Sequence, residues 1–329
     1  MKFGLLFVFI FLGTSFSDTV SLGFGSCLFQ GKPMPILSAV KRYEPALFVF
    51  LGDNVYGDFK SKQWPLWRAY RRQKMNLDAI GWNIPSLHIW DDGDFGENDG
   101  GADFLQIARS KELFFGAWEI GEDDPRRSQN SLYYEKILRS NNRVIQILLL
   151  DVRSQRSAWR RNPKRQLLKR YLKDASQEKT ILGYEQWSFF QESVKRQVDL
   201  RILVSPIQVL AIGHHWECWD LFPNERKKLL NLLDSGTSKA TLIVSGDRHR
   251  AAFYQVEMPE SKTLFLEVTT SSLNSKAENR SELGPNRLTD LYCDENFALL
   301  EVSKDLIQIG LYDLFGKVIG QKRALAISE

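Results

Sequence analysis

Several classes of function are disfavoured by what this chain lacks. It contains no Gly-x-Ser-x-Gly motif, which argues against a serine hydrolase of the nucleophile-elbow type. Its formal net charge of +4 is too small to indicate a nucleic-acid partner by itself. After the first 17 residues no stretch is apolar enough to cross a membrane. The chain also has no internal repeat and no long linker, so we expect a single domain over residues 18–329.

Cysteine is scarce, and the chain has three, at Cys27, Cys218 and Cys293. An odd number leaves at least one cysteine unpaired if the protein is exported to an oxidising compartment. One solution is that Cys27 binds a metal, while Cys218 and Cys293 either form a disulfide or stay buried as thiols. The sequence leaves both arrangements of that pair open.

The N-terminal segment, residues 1–17, has the pattern of a signal peptide. A lysine precedes the apolar run Leu5–Leu12, which is too short to span a bilayer. Small residues at Ser15 and Ser17 predict cleavage before Asp18. We therefore expect an exported protein, periplasmic or extracellular, and a retained membrane anchor is the alternative.

Strand-like and helix-like segments alternate along most of the chain. The predicted strands cover 19–25, 46–51, 86–90, 144–150, 202–205 and 241–244, and the predicted helices cover 35–42, 64–75, 184–196 and 224–233. This alternation predicts an α/β sheet. From Ala251 onward strand follows strand, which predicts a second, largely antiparallel sheet packed on the first.

Side chains of the kind that bind metals follow a glycine at the ends of several predicted strands. They are Cys27 after Gly25, Asp53 and Tyr56 after Gly52, and Asp247 and His249 after Gly246. Ligands of open α/β sheets bind beyond the carboxyl ends of the strands, so we expect these groups to converge. A thiolate, a phenolate and an imidazole favour a transition metal, and carboxylates favour harder cations.

A series of motifs in the same order resembles the PhoD-like alkaline phosphatase family. They are GSC (25–27), LGDNVYGD (51–58), IWDDGDFGEND (89–99), LDVRSQR (150–156), LGYEQW (182–187), WDLFPNER (219–226), SGDRH (245–249) and TSSLN (270–274). The Gly-Asp-x-x-Tyr element is shared with purple acid phosphatases, in the wider metallophosphoesterase group. The resemblance implies a four-layer α/β/β/α sandwich of two packed mixed sheets. It also implies a phosphate-ester hydrolase that uses metal-activated water.

The resemblance further implies Fe3+ and Ca2+ as cofactors, with ligands assigned motif by motif. The residues implied for iron are Cys27, Asp53, Tyr56 and His249. The residues implied for the second metal are Asp53, which would bridge the ions, Asp92, Asp247 and, as a further oxygen ligand, Asn98. The expected partners are small phosphate esters or phospholipid head groups, with no nucleic acid, and the chain is expected to be a monomer.

Two arginines, Arg153 and Arg156, follow the strongest predicted strand and match arginines of the family. A guanidinium suits two phosphate oxygens, so we expect them to steady the phosphate, and a solvated loop is the alternative. They open the basic segment Arg153–Lys173, which contains no acidic residue. This segment predicts either an electropositive surface that attracts phosphate esters or anionic lipids, or a solvated loop with a short helix.

One position departs from the family pattern. The family usually has histidine after the paired aspartates, where this chain has Gly93. Losing a positioned acid typically costs about 10²–10⁴-fold in rate. Three interpretations follow: a weakened enzyme, substitution by His214 or His215 after the strand-like run Val209–Ile212, or a metal- or phosphate-binding protein without catalysis. An activity on phosphodiesters, of phospholipase type, is a further alternative, and His88 is expected to be a core residue.

Overall fold

The computed structural model describes residues 19–140, 142–164, 170–277, 282 and 284–325. The predicted signal peptide lies outside the described residues, as does the middle of the basic segment. The strands are β1 (Val20–Gly25), β2 (Leu47–Leu51), β3 (Ser86–Ile89), β4 (Tyr134–Ser140), β5 (Arg143–Leu149), β6 (Arg160–Arg161), β7 (Tyr171–Leu172), β8 (Val198–Ser205), β9 (Ser238–Ser245), β10 (Ala252–Glu257), β11 (Leu264–Thr269), β12 (Asn296–Val302), β13 (Ile307–Asp313) and β14 (Arg323–Ala324). The helices are α1 (Pro35–Lys41), α2 (Leu66–Ile80), α3 (Asp92–Phe95), α4 (Ile107–Ala117), α5 (Gly183–Ser193) and α6 (Pro223–Asp234).

Two mixed six-stranded sheets form the centre of the fold. The first has the order β14-β13-β12-β1-β2-β3, in which β1, β2 and β3 are parallel and the other pairs are antiparallel. The second has the order β10-β11-β9-β8-β5-β4, in which β11, β9, β8 and β5 are parallel. The predicted sandwich of two mixed sheets is confirmed.

Strand β2 contributes side chains to the cores on both sides of the first sheet. Side chains alternate between the two faces of a strand, and every residue of β2 is buried. Val49 and Leu51 belong to the core between the sheets, together with residues of β5 and β8. Phe48 and Phe50 pack with α1 and α2 on the outer face of the first sheet. The helices α5 and α6 cover the second sheet in the same way, which gives four layers.

The C-terminal strands do not form a sheet of their own, so that part of the prediction is wrong. The strands β10 and β11 extend the second sheet, because β11 pairs with β9. The strands β12 and β13 extend the first sheet, because β12 pairs antiparallel with β1. Both central strands, β1 and β9, would otherwise present an unpaired edge.

Other local predictions also need correction. The run Val209–Ile212 is irregular rather than a strand, and α4 and β4 were not predicted. The helix predicted over 64–75 begins at Leu66 and continues to Ile80, where Gly81 adopts φ 65° and ends it. In the described part of Arg153–Lys173, β6 and β7 form a small antiparallel pair. No helix within the described ranges combines the length and apolarity needed to span a bilayer.

Candidate metal centre

The loops after β1, β2 and β9 bring the first predicted group together. A Cys27 sulfur, an Asp53 carboxylate oxygen and a His249 ring nitrogen lie within 4.8 Å of one another. The Tyr56 hydroxyl is 3.1 Å from Nε2 of His249. All four side chains that were predicted to share a transition metal therefore converge, although whether they bind one remains a prediction.

A second group of carboxylates adjoins the first. Oxygens of Asp53, Asp91 and Asp92 lie within 4.8 Å of one another, so Asp53 belongs to both groups. Asp247 belongs to none of the candidate groups among the described residues, but its charge raises the pKa of both Asp53 and Asp91. Asn98 is exposed, and its role as a further oxygen ligand stays a prediction.

A third acidic group comprises Asp92, Asp99 and Glu217, also within 4.8 Å. Two of its members have cationic partners, since Glu217 pairs with Arg153 and Asp99 pairs with Arg170. Because Arg153 also pairs with Asp91, its charge is shared between the second and the third group. Sequence reasoning missed Asp91 as a ligand candidate because it chose one of two adjacent aspartates. It missed Glu217 because no strand or glycine precedes that residue.

The first two groups concentrate negative charge in a buried place. Burial is the largest cause of the raised pKa of Asp53, and the charges of Cys27 and Asp92 add to it. Burial also raises the pKa of Cys27 to about 11 and that of Asp247 to about 6. An Oδ2 atom of Asp91 and one of Asp247 are buried without a hydrogen-bond partner in the described part of the chain. Both carboxylates also lie beside an arginine, Asp91 beside Arg153 and Asp247 beside Arg248. Each nevertheless keeps one buried oxygen without a hydrogen bond among the described residues, which fits a bound cation.

The backbone of these loops is unusual at the candidate ligands. Cys27, Asp53, Asp247 and His249 have φ values of 58°, 51°, 62° and 54°. Non-glycine residues in the left-handed region cost of order 1–3 kcal/mol and cluster at functional sites. The preceding Gly52 has φ 101°, and a Cβ there would lie 2.6 Å from Cβ of Asp91. Neither feature could be predicted from residue types alone.

Asp94, a residue that sequence reasoning did not single out, fixes the loops that carry the carboxylates. Its side chain accepts hydrogen bonds from the backbone N–H groups of Asp53 (3.2 Å), Asn54 (3.2 Å) and Asp91 (2.6 Å). Burial raises the pKa of Asp94 to about 7. The Asp91–Asp94 pair forms a capping box at the start of α3, a sequence signal that could have identified it.

Both predicted arginines are buried, so the solvated-loop alternative is wrong. Arg153 donates from Nε to Asp91 (2.5 Å) and from its two terminal nitrogens to Glu217 (2.7 and 3.1 Å). Arg156 donates to the carbonyl oxygens of Asp99 (2.6 Å) and Gly100 (2.5 Å). These partners engage all three nitrogens of Arg153, whereas Nε of Arg156 is buried without a hydrogen-bond partner in the described part of the chain. A direct contact of either arginine with phosphate remains a prediction.

The two histidines proposed as substitutes lie outside the carboxylate groups. His214 is buried, and its pKa is lowered to about 3 by burial and by the charge of Arg248. It is therefore neutral near neutral pH. His215 lies with Nδ1 3.2 Å from the carbonyl oxygen of Tyr171. A role for either histidine as the substitute acid stays a prediction.

Three further sequence predictions concern buried residues. His88 is confirmed as a core residue, stacked between the rings of Phe50 (4.6 Å) and Trp118 (4.0 Å). Cys218 and Cys293 are both buried free thiols, so the disulfide alternative is wrong.

Comparisons with known proteins decide the family. The model of the PhoD-like phosphatases matches residues 124–303, which is more than half of the chain. The chain belongs to the PhoD-like phosphatase family. It is therefore a phosphoric ester hydrolase of a metal-dependent family. No curated protein matches it in sequence.

Two solved structures share the fold of this PhoD-like chain. The structure of PhoD matches with a TM-score of 0.65 and 18% identity, over 92% of this chain and 72% of that one. The structure of GAP50, the anchor in the inner membrane complex of Plasmodium, matches with a TM-score of 0.60 and 14% identity. That match covers 94% of this chain and 90% of GAP50. At such identities the likeness concerns the fold alone.

Gly93 of this PhoD-like phosphatase is packed against a candidate ligand. Its N–H donates to Oδ1 of Asp53 (2.9 Å), and a Cβ would lie 2.7 Å from that oxygen and 2.8 Å from the Val55 carbonyl oxygen. We expect Gly93→Ala to lower ester hydrolysis about 10–100-fold, because Asp53 must move. The measurement is kcat/KM, with Gly121→Ala, which adds a Cβ in open space, as the control.

The same crowding applies to Gly93→His, which we also expect to lower the rate. A gain in rate for Gly93→His would contradict this expectation. It would show instead that the missing histidine limits the enzyme.

The metal-free PhoD-like phosphatase is expected to lose stability as the pH rises from 7 to 9. Folding raises the pKa of Asp99 to about 8, chiefly by burial and the charge of Glu217. An acid with a raised folded pKa stabilises the fold at low pH, and this contribution is lost as the pH rises through the folded pKa. Between pH 7 and 9 the ionisation of this group removes about 1.4 kcal/mol in total, so we expect the Tm to fall by about 3 °C.

Thermal unfolding of the chelated protein at pH 7, 8 and 9 measures this effect. The range starts at pH 7 because His88 and His214, whose pKa values are lowered, change stability only at lower pH. A Tm that rises over this range would contradict the expectation.

Proposed function

We propose that this chain hydrolyses phosphate esters at a two-metal centre built from the loops after β1, β2, β3 and β9. The observation that carries the proposal is that Asp53 belongs to two adjoining ligand groups. A carboxylate in that position can bridge two cations. Sulfur, phenol and imidazole donors lie on one side of it, and carboxylate oxygens lie on the other.

We propose Fe3+ for the first group and Ca2+ for the second, from the chemistry of the donors and the family resemblance. The residues that would hold iron are Cys27, Asp53, Tyr56 and His249. Those that would hold the harder cation are Asp53, Asp91, Asp92 and Asp247. When bound, such metals neutralise phosphate charge and lower the pKa of a coordinated water.

The chain's own residues position these ligands and attract the substrate. Arg153 holds Asp91 in place, and Asp94 fixes the loop of Asp53. Arg160, Arg161 and Arg170 are exposed; Arg161 lines a cavity together with Asp99, and Arg170 pairs with Asp99. They favour the interpretation of the basic segment as an electropositive surface that draws anionic esters towards the carboxylate groups.

A preference for phosphodiesters is the second candidate activity. The departure at Gly93 favours it, because a diester needs its leaving group assisted differently from a monoester. The exposed arginines also suit a phospholipid head group.

Turnover of p-nitrophenyl phosphate and bis-p-nitrophenyl phosphate by the metal-loaded protein tests both candidates. We expect measurable hydrolysis of at least one ester. A large excess for the monoester would remove the diester preference. Bound metal without hydrolysis of either ester would favour a non-catalytic metal-binding protein.

We propose further that the chain is exported and acts as a monomer. The apolar run Leu5–Leu12 supports export, since its length and flanking residues are typical of a signal peptide. N-terminal sequencing of the protein recovered outside the cytoplasm tests this, and a mature chain beginning at Asp18 is expected. A chain that keeps its first 17 residues in the membrane fraction would indicate the anchor instead.

A further inference from the structure

The TSSLN motif was given no role by the sequence, yet it reaches the candidate metal centre. It follows β11, and within it Ser271 is completely buried. The Ser271 hydroxyl oxygen lies 3.0 Å from Sγ of Cys27. It also accepts a hydrogen bond of 2.7 Å from the backbone N–H of His249. A single hydroxyl therefore touches two candidate ligands that lie far apart in the sequence.

The direction of the Ser271 hydrogen bond to sulfur follows from its neighbours. A backbone N–H can only donate, so the Ser271 oxygen accepts from His249, and its own proton is free to point elsewhere. The Cys27 thiol donates to Oδ2 of Asp53 at 3.5 Å. The Ser271 proton is thus directed at the Cys27 sulfur. The four groups form one directed chain, from the His249 N–H through Ser271 and Cys27 to Asp53.

The segment that carries Ser271 is held rigidly. The Asn296 side chain donates to the carbonyl oxygen of Ser271 (2.9 Å) and accepts from the hydroxyl of Thr270 (3.1 Å). The backbone N–H of Leu273 donates to the carbonyl oxygen of Ser26 (2.8 Å), next to Cys27. These bonds fix the hydroxyl relative to the sulfur before any metal binds, as a supporting shell must.

We propose that Ser271 is a positioning residue of the metal centre, whose hydroxyl donates a hydrogen bond to the Cys27 sulfur and sets its donor strength toward the bound metal. This inference rests on the proposed function, because it requires Cys27 to be a ligand. A Cys27 thiol that bound a metal would release its proton to solvent and give up its hydrogen bond to Asp53, whereas the hydrogen bond from Ser271 would remain. Hydrogen bonds to a ligating sulfur withdraw electron density and tune the metal.

The test uses the full-length protein loaded with Co2+, whose charge-transfer absorption reports a bound thiolate. In Ser271→Ala we expect this band to move to lower energy, because the sulfur becomes a stronger electron donor. We also expect Co2+ affinity, measured by competition with a chelator, to fall about 10-fold, because the thiolate loses a hydrogen bond that stabilises it against protonation. Ser271→Thr keeps the hydroxyl and should keep the native band position.

Ser272→Ala is the matched control. Ser272 is adjacent and buried, and its hydroxyl has no hydrogen-bond partner within the described ranges. We expect this variant to leave the band and the affinity unchanged. An unchanged band in folded Ser271→Ala, or an equal shift in Ser272→Ala, would overturn the inference.

A measurement on the unmodified protein covers the case in which Ser271→Ala fails to fold. Exchange into D2O should shift the cobalt–sulfur stretching frequency if the sulfur accepts a hydrogen bond, and no shift would overturn the inference. Absence of the charge-transfer band from the unmodified protein is a different result. It would show that Cys27 binds no metal, which overturns the proposed centre and this inference with it.

Discussion

Replacement of Asp53 by asparagine is expected to lower kcat/KM for phosphate esters about 10³-fold, which corresponds to roughly 4 kcal/mol. Asparagine keeps the shape of the side chain but removes the negative charge from the residue that both ligand groups share. Both proposed cations then lose a ligand. Steady-state kinetics together with metal analysis of the purified variant measure the effect, and we expect metal content and activity to fall together.

Asp58→Asn is the matched control for this experiment. Asp58 lies in the same motif but is exposed, and its carboxylate accepts only from the nearby backbone N–H groups of Lys60 (2.5 Å) and Ser61 (2.9 Å). We expect its kinetics to stay within about twofold of the unmodified protein, since surface changes usually have small effects. An Asp53→Asn protein that keeps its metals and its rate would show that Asp53 bridges nothing.

Replacement of Arg153 by methionine is expected to lower the free energy of unfolding by about 3–5 kcal/mol. The Arg153 guanidinium is completely buried between Asp91 and Glu217, and its removal leaves two buried carboxylates without their cation. Urea denaturation measures the loss. Arg160→Met, at an exposed arginine of β6, should change stability by less than about 0.5 kcal/mol.

The same variant separates two roles for Arg153. If Arg153 chiefly steadies the phosphate, as the family resemblance suggests, methionine would lower kcat/KM and leave stability nearly unchanged. If it holds Asp91, both quantities fall, and Arg153→Lys restores neither fully because lysine lacks the planar fork. The burial of Arg153 and the hydrogen bonds it makes favour the second result.

The candidate ligands that follow the ends of strands were the features predicted most reliably from the sequence. Cys27, Asp53 and His249 each follow an apolar strand and a glycine, so their convergence could be expected without knowing how the sheets pack. The pairing of β12 with β1 could not be predicted. It joins segments far apart in the chain, and both are apolar enough to suit either sheet. The role of the Ser271 hydroxyl could not be predicted either, since it depends on which atoms surround the hydroxyl in the folded protein.

The two sheets contribute unequally and at very different times to the candidate centre. Cys27 and Asp53 come from the first strands of the chain, whereas His249 and Ser271 come from its last third, and β1 lacks its neighbour β12 until then. A nascent polypeptide on the ribosome therefore holds five of the seven proposed ligands long before Asp247 and His249 are synthesised. Both proposed sites are complete only after synthesis has passed His249, and a fragment truncated before residue 245 would lack the imidazole proposed for iron and the Asp247 carboxylate proposed for the second metal.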